Sequence, residues 1–115
     1  MSGTEKLTVV TVVGTRPEII RLSRVIPLLD KHFNHTFVNT GQNKDPMLSK
    51  VFFDELEIRT PDLYLDVDTS TLGAVLGDTL AKIEKVFLEH KPDAVLILGD
   101  TNSAISAVLA KRMHI

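Results

Sequence analysis

Two apolar runs constrain this chain more than anything else in it: "LTVVTVV" at residues 7–13 and "DAVLIL" at 93–98. The first is almost wholly apolar and rich in β-branched residues, and the second has no polar residue after Asp93. A strand that shows one face to water alternates polar and apolar side chains. Runs without alternation belong in a parallel sheet covered on both faces. Such a sheet needs crossover helices, so the segments between the runs should carry a helical period.

They do. After Gly14, Thr15 and Glu18 form a T-x-x-E capping box, with Pro17 near the first helical position. Ile19, Leu22, Ile26 and Leu29 then recur at helical spacing, and Pro27 within that stripe should kink the helix or end it early. Thr36 to Asn39 reads as a short second strand, followed by the polar loop "NTGQNKDP" with Gly41 as its turn residue. A second helix should start near Pro46, with Leu48, Val51, Phe52 and Leu56 on its inner face. A third strand is expected around Leu63 to Leu65. Ser70 or Thr71 should cap a long helix running to about His90, with Leu72, Leu76, Leu80, Ile83 and Phe87 as its buried stripe. Gly73 and Gly77 weaken the first half of that helix, which a close approach to another element would explain. Asp93 to Leu98 is the fourth strand, and a last helix follows "GDTNSA" with Ile105, Val108 and Leu109 apolar.

The order is βαβαβαβα, an α/β fold: a Rossmann-like parallel sheet with right-handed crossovers and helices on both faces. Doubly wound sheets normally continue past four strands. Residues 1–115 are therefore expected to be part of an N-terminal Rossmann-like domain within a longer protein.

Composition narrows the function. A net charge of −2 leaves no basic footprint for nucleic acid and no polybasic case for a membrane surface. The absence of cysteine excludes disulfides, thiolate zinc sites and cysteine nucleophiles. The N-terminus has no basic region before its apolar run, and the apolar runs are too short to span a bilayer, so a cytoplasmic location is expected. His32, His35, His90 and His114 lack metal-ligand spacing and read as surface or helix-end residues. Asp66 and Asp68 read as a solvated strand end, and Met47 and Met113 as core filler.

In an open parallel sheet, ligands bind outside the carboxyl ends of the strands. Two of those ends are informative. "GTRPE" follows strand one: Gly14 and Thr15 lead into a helix N-terminus, where unpaired N–H groups suit an anion, and Arg16 adds a planar guanidinium. Arg21 is five residues further on and could reach the same edge. The plainer reading is a capped helix with solvated arginines. "GDTNS" follows strand four and places Asp100 where an acid can cap a helix, bind a metal or move a proton. The first loop is neither a P-loop nor a G-x-G-x-x-G fingerprint.

Together, "GTRPE", "TGQ" after the second strand and "KPDAVLILGDTNSA" resemble the non-hydrolysing UDP-N-acetylglucosamine 2-epimerases, with motif order and spacing kept over essentially all 115 residues. The resemblance implies two Rossmann-like domains in the glycosyltransferase-B arrangement, a homodimer, and a substrate cleft between the domains. It implies inversion at C2 of a UDP-N-acetyl sugar by elimination and re-addition of UDP, with no metal or redox cofactor, for capsule, O-antigen or cell-wall precursors. By position, Arg16 matches the arginine near the nucleotide-sugar phosphates, and Asp100 matches an active-site carboxylate. Gln42, with Asn43 beside it, matches a position that in some bacterial members contacts a second UDP-N-acetylglucosamine acting as an allosteric activator. Arg21 stands where many members carry lysine, and Asn43-Lys44 where many read His-Arg. "GTRPEIIRLS" and "FFDELEIRTPDLYL" look more like a branch acting on modified UDP-sugars, such as those leading to N-acetyl-L-fucosamine or diacetamido-uronic acids. Members are much longer than this chain, which implies that residues 1–115 alone are inactive. Two alternatives remain at this stage: a nucleotide-sugar glycosyltransferase of the same architecture, and a flavodoxin-like or receiver-like interaction module in which Asp100 merely caps a helix.

Overall fold

The structure is a computed structural model and describes residues 6–41, 50–98 and 102–115. Four parallel strands form its sheet: β1 (Thr8–Val13), β2 (Asn34–Asn39), β3 (Leu63–Tyr64) and β4 (Ala94–Ile97), in the spatial order β3-β2-β1-β4. Helices α1 (Arg16–Leu22) and α2 (Val25–His32) join β1 to β2. Helix α3 (Lys50–Glu55) precedes β3, α4 (Leu72–His90) connects β3 to β4, and α5 (Ser106–Arg112) follows β4 after a 3-10 turn, Asn102–Ile105. No described helix is long and apolar enough to cross a membrane.

The pleat of β1 shows why its apolar run does not alternate. Val13 packs with Ile19, Leu22, Ile26, Phe37, Phe52 and Phe53, in a cluster fed by α1, α2 and α3. Val10 and Val12 pack with Val38, Ile83, Val86, Phe87 and Ala110, in a second cluster fed by α4 and α5. Odd and even positions serve different cores, so valines stand at both. β4 is less enclosed: Val95, Leu96 and Ile97 are half-buried at the sheet's edge.

The early helix end expected from Pro27 is borne out, and several other local expectations are corrected. The first helical stripe is two helices that part at Ser23 and Arg24, ahead of Pro27. Proline has no N–H to give to the carbonyl four residues back, so a fresh helix start that puts Pro27 in the first turn of α2 removes the conflict. In α4, capped by Thr71, the buried residues are Val75, Thr79, Ile83, Val86 and Phe87. Leu72 is 66% exposed, and Leu76 and Leu80 only flank the buried stripe. Thr79, passed over as polar, is fully buried. Gly73 and Gly77 meet no packed element among the described residues, so close approach does not explain them. In α3 the inward side chains are Phe52 and Phe53, whereas Val51 is 63% exposed. Of the last helix, Val108 faces outward while Ser103, Ser106 and Ala110 are buried. Pro46, Met47 and Leu48 lie outside the described residues.

His35 is the largest surprise. Its side chain is fully buried rather than at the surface. One ring nitrogen lies 2.7 Å from the Thr11 hydroxyl and the other 2.7 Å from the Asp30 carboxylate. Asp30 also takes two hydrogen bonds from Arg59, at 2.9 and 3.0 Å. Arg59 in turn pairs with Asp62, which accepts the Phe37 N–H. The chain of contacts ties β1, α2, β2 and the approach to β3 together. With Thr11 fully buried and every member engaged, its work is structural. Burial by itself would raise the Asp30 carboxyl, but the hydrogen bonds from Arg59 and His35 outweigh it and hold the group below its ordinary value. A carboxyl depressed in the folded state adds stability above the ordinary range, about pH 4, and loses it as pH falls through the lower folded value. Urea midpoints should therefore decline below about pH 4, and should decline less steeply in Asp30→Asn.

Candidate functional site

The strand order decides where a ligand can sit. From β1 the chain crosses to β2 on one side, and it later returns to β4 on the other. The carboxyl ends of β1 and β4, paired in register from Val9↔Ala94 to Val12↔Ile97, therefore flank a topological switch point, where open α/β sheets bind their ligands. "GTRPE" leaves the first of these ends and "GDTNS" the second. The structure brings the first loop beside Ser103, in the 3-10 turn that follows β4.

Glu18 lies between them. It is 1% exposed, and its carboxylate is shared between the loops. Oε2 accepts the Gly14 N–H at 2.8 Å, the Thr15 N–H at 2.7 Å and the Thr15 hydroxyl at 2.9 Å. Oε1 accepts the Ser103 hydroxyl from the 3-10 turn after β4. The expected capping box exists, yet this carboxylate does much more than close a helix end. The amides of Gly14 and Thr15 are already committed to a buried carboxylate, so they are not the unpaired N–H groups expected at this helix start.

Arg16 opens α1 and is half-buried, with its guanidinium carbon 5.6 Å from the centroid of the Phe52 ring. A guanidinium over an aromatic face is held in orientation. Arg21 is exposed in the last turn of α1, more than one helical turn from the switch point. The structure does not bring it beside Arg16.

The loop after β2 is built just as tightly. The Thr40 N–H donates to the Val13 carbonyl at 2.8 Å, and the Gly41 N–H donates to the Asn39 side chain at 2.8 Å. Gly41 has φ +76°, and a Cβ there would stand 2.9 Å from the Asp66 backbone nitrogen. Only glycine satisfies both the left-handed backbone and that approach. Asp66 and Asp68 belong to this corner: Lys82 Nζ donates to the Asp66 carbonyl at 3.0 Å, and Asp68 accepts the Ser70 N–H at 2.9 Å. That backbone hydrogen bond is the main reason the Asp68 carboxyl lies below its ordinary value. Asp68 thus shapes the entry to α4. No group of three or more His, Asp or Glu suited to a metal occurs among the described residues. Gln42, Asn43 and Asp100 lie outside the described residues.

Sequence reasoning missed Ser103 altogether and gave Glu18 too small a part. A hint was present: Ser103 is three residues after Asp100, in a segment that must turn at the switch point.

Comparison with known proteins decides the family. The family model for UDP-N-acetylglucosamine 2-epimerase matches residues 28–115. The chain belongs to the UDP-N-acetylglucosamine 2-epimerase family. A relative described as a UDP-N-acetylglucosamine 2-epimerase homolog from Methanococcus maripaludis is 45% identical over 102 residues, covering 89% of this chain and 29% of the relative. The structure of UDP-N-acetylglucosamine 2-epimerase from Rickettsia bellii superposes with a TM-score of 0.86 at 48% identity, over 96% of this chain and 30% of that one. The Methanocaldococcus jannaschii UDP-GlcNAc 2-epimerase, solved in complex with UDP-GlcNAc and UDP, gives a TM-score of 0.85 at 37% identity, over 95% and 31%. The chain thus spans less than a third of the length of the relatives it matches. The Rossmann-like fold with the topology of the N-terminal half of these epimerases is borne out, and the flavodoxin-like and glycosyltransferase readings give way to epimerase family membership.

Proposed function

We propose that residues 1–115 form the N-terminal, Arg16-bearing part of a UDP-N-acetyl-sugar 2-epimerase whose remaining site residues come from a longer chain. The observation that carries this reading is the switch point itself: β1 and β4 are neighbours, and Glu18 joins the "GTRPE" loop after β1 to Ser103 in the turn after β4. The M. jannaschii relative, solved with UDP-GlcNAc and UDP, supports a UDP-sugar as the ligand. The half-buried apolar edge of β4 supports a sheet that continues.

In the reaction, a base removes the proton from C2 while the C1–O bond to UDP breaks on the opposite face. This leaves a 2-acetamidoglucal and free UDP. UDP then adds back to C1, and a proton returns to the other face of C2. Negative charge grows on the departing diphosphate, which a pre-placed guanidinium at Arg16 stabilises more in the transition state than in the ground state. Asp100 is the proposed acid/base, a role that needs a positioned carboxyl rather than a cofactor. Gly14 and Thr15 line the phosphate side, Arg21 adds charge outside it, and Gln42 with Asn43 is the proposed allosteric contact. The whole protein is proposed to be a cytoplasmic homodimer supplying capsule or O-antigen precursors, from UDP-N-acetylglucosamine or a modified UDP-N-acetyl sugar.

The whole protein is incubated with UDP-N-acetylglucosamine in heavy water, with no acceptor. Deuterium entering at C2 is the expected result, while an unlabelled C2 with release of free sugar would point to a transferase or hydrolase. The 115-residue chain alone is expected to give no label.

A further inference from the structure

A helix-capping glutamate normally keeps its carboxylate in water, because one or two bonds to the N-cap do not offset burial of a charge. Glu18 is instead 1% exposed and takes hydrogen bonds from donors on two segments of chain. Its two oxygens divide the work. Oε2 holds the loop after β1, through Gly14 and Thr15, and Oε1 holds the turn after β4, through Ser103, 85 residues further on. Ser103 is itself fully buried, so this contact is not a surface accident. Donors to both oxygens are what make a buried carboxylate tolerable, and losing one leaves the other loop's partner to carry an under-satisfied charge.

We infer that Glu18 is a positioning residue that couples the loop after β1 to the Asn102–Ile105 turn, so that Arg16 keeps a fixed place relative to that turn. The epimerase reading enters only through the reaction this coupling serves; the coupling itself rests on the Glu18–Ser103 bridge. Thr15 directly precedes Arg16 and Glu18 is two residues after it, so a shift at Oε2 moves the start of α1 and the guanidinium with it. The capping function uses Oε2 alone. The bridge through Oε1 is therefore separable from it.

Ser103→Ala in the whole protein makes that separation, since it deletes the Ser103 hydroxyl's bond to Oε1 and leaves the bonds to Oε2 in place. Amide hydrogen exchange is followed over residues 12–18, a segment the substitution does not touch. Exchange there should speed up by about tenfold, the loss of one charge-assisted hydrogen bond. Unchanged exchange at 12–18 would overturn the coupling. In parallel, kcat for the UDP-sugar should fall by about 10- to 100-fold with KM changed by no more than about threefold, as misplacement of a reacting group predicts. A lowered melting temperature with kcat intact would make Glu18 a merely structural residue and sink the positioning role. If the wild-type protein turns over no UDP-sugar, the epimerase reading fails, and the exchange result still decides the coupling.

Discussion

Arg16→Ala in the whole protein should lower kcat/KM for the UDP-sugar by about 10²- to 10³-fold, the scale seen when a single preorganised donor to a developing anion is lost. The expectation rests on three features of the residue. It opens α1 at the carboxyl edge of the sheet, beside the switch point. It is half-buried, so its charge is less screened than that of a surface arginine. Its guanidinium lies over Phe52, which limits the orientations it can take. The neighbouring amides cannot substitute for it, because Gly14 and Thr15 already donate to Glu18. Arg16→Lys keeps the charge but loses the planar fork, and should recover only part of the activity. Arg21→Ala is the useful control: exposed and a turn further from the crevice, it should cost far less. Equal losses at Arg16 and Arg21 would mean that general positive charge, not a placed guanidinium, is what matters.

Phe37→Ala should destabilise the fold by about 3–5 kcal/mol, the range for truncating a fully buried aromatic. Phe37 has no exposed surface and sits centrally on the α1–α3 face of the sheet. Its ring stacks on His35 and meets Phe53 edge-on, each at 6.4 Å between centroids, and the Arg59 guanidinium lies 5.7 Å from its centroid. Removing the ring opens a cavity and takes the lid from the Thr11–His35–Asp30–Arg59 network. The loss should therefore lie toward the upper end of the range. Urea unfolding of wild type and variant measures it, and a change below about 1 kcal/mol would show that the core collapses around the gap.

The candidate site was legible in part, for reasons particular to each residue. Arg16 stood out because it opens a helix two residues after the glycine that ends a buried strand, at the edge of the sheet where ligands bind. Glu18 looked fully explained by Thr15 three residues earlier, and a satisfied local role hid the distant one. Ser103 carried only the hint of its place after Asp100, because serine is common in turns and its partner is 85 residues away. His35 misled for the same reason. One histidine among polar neighbours looks exposed until Thr11 and Asp30 are seen on either side of it.

The sequence by itself determined the class of fold and the edge of the sheet where chemistry belongs. Both follow from local periods, since non-alternating strands and 3.6-residue stripes leave few arrangements other than a covered parallel sheet. The tertiary structure alone decided which strands are neighbours, which face of α4 is buried and what Glu18 holds. The order β3-β2-β1-β4 places β4 against β1 although some 80 residues separate them. Nothing in a local pattern measures that separation. Only the packing of α1–α3 on one face and α4–α5 on the other brings the "GTRPE" loop and Ser103 together.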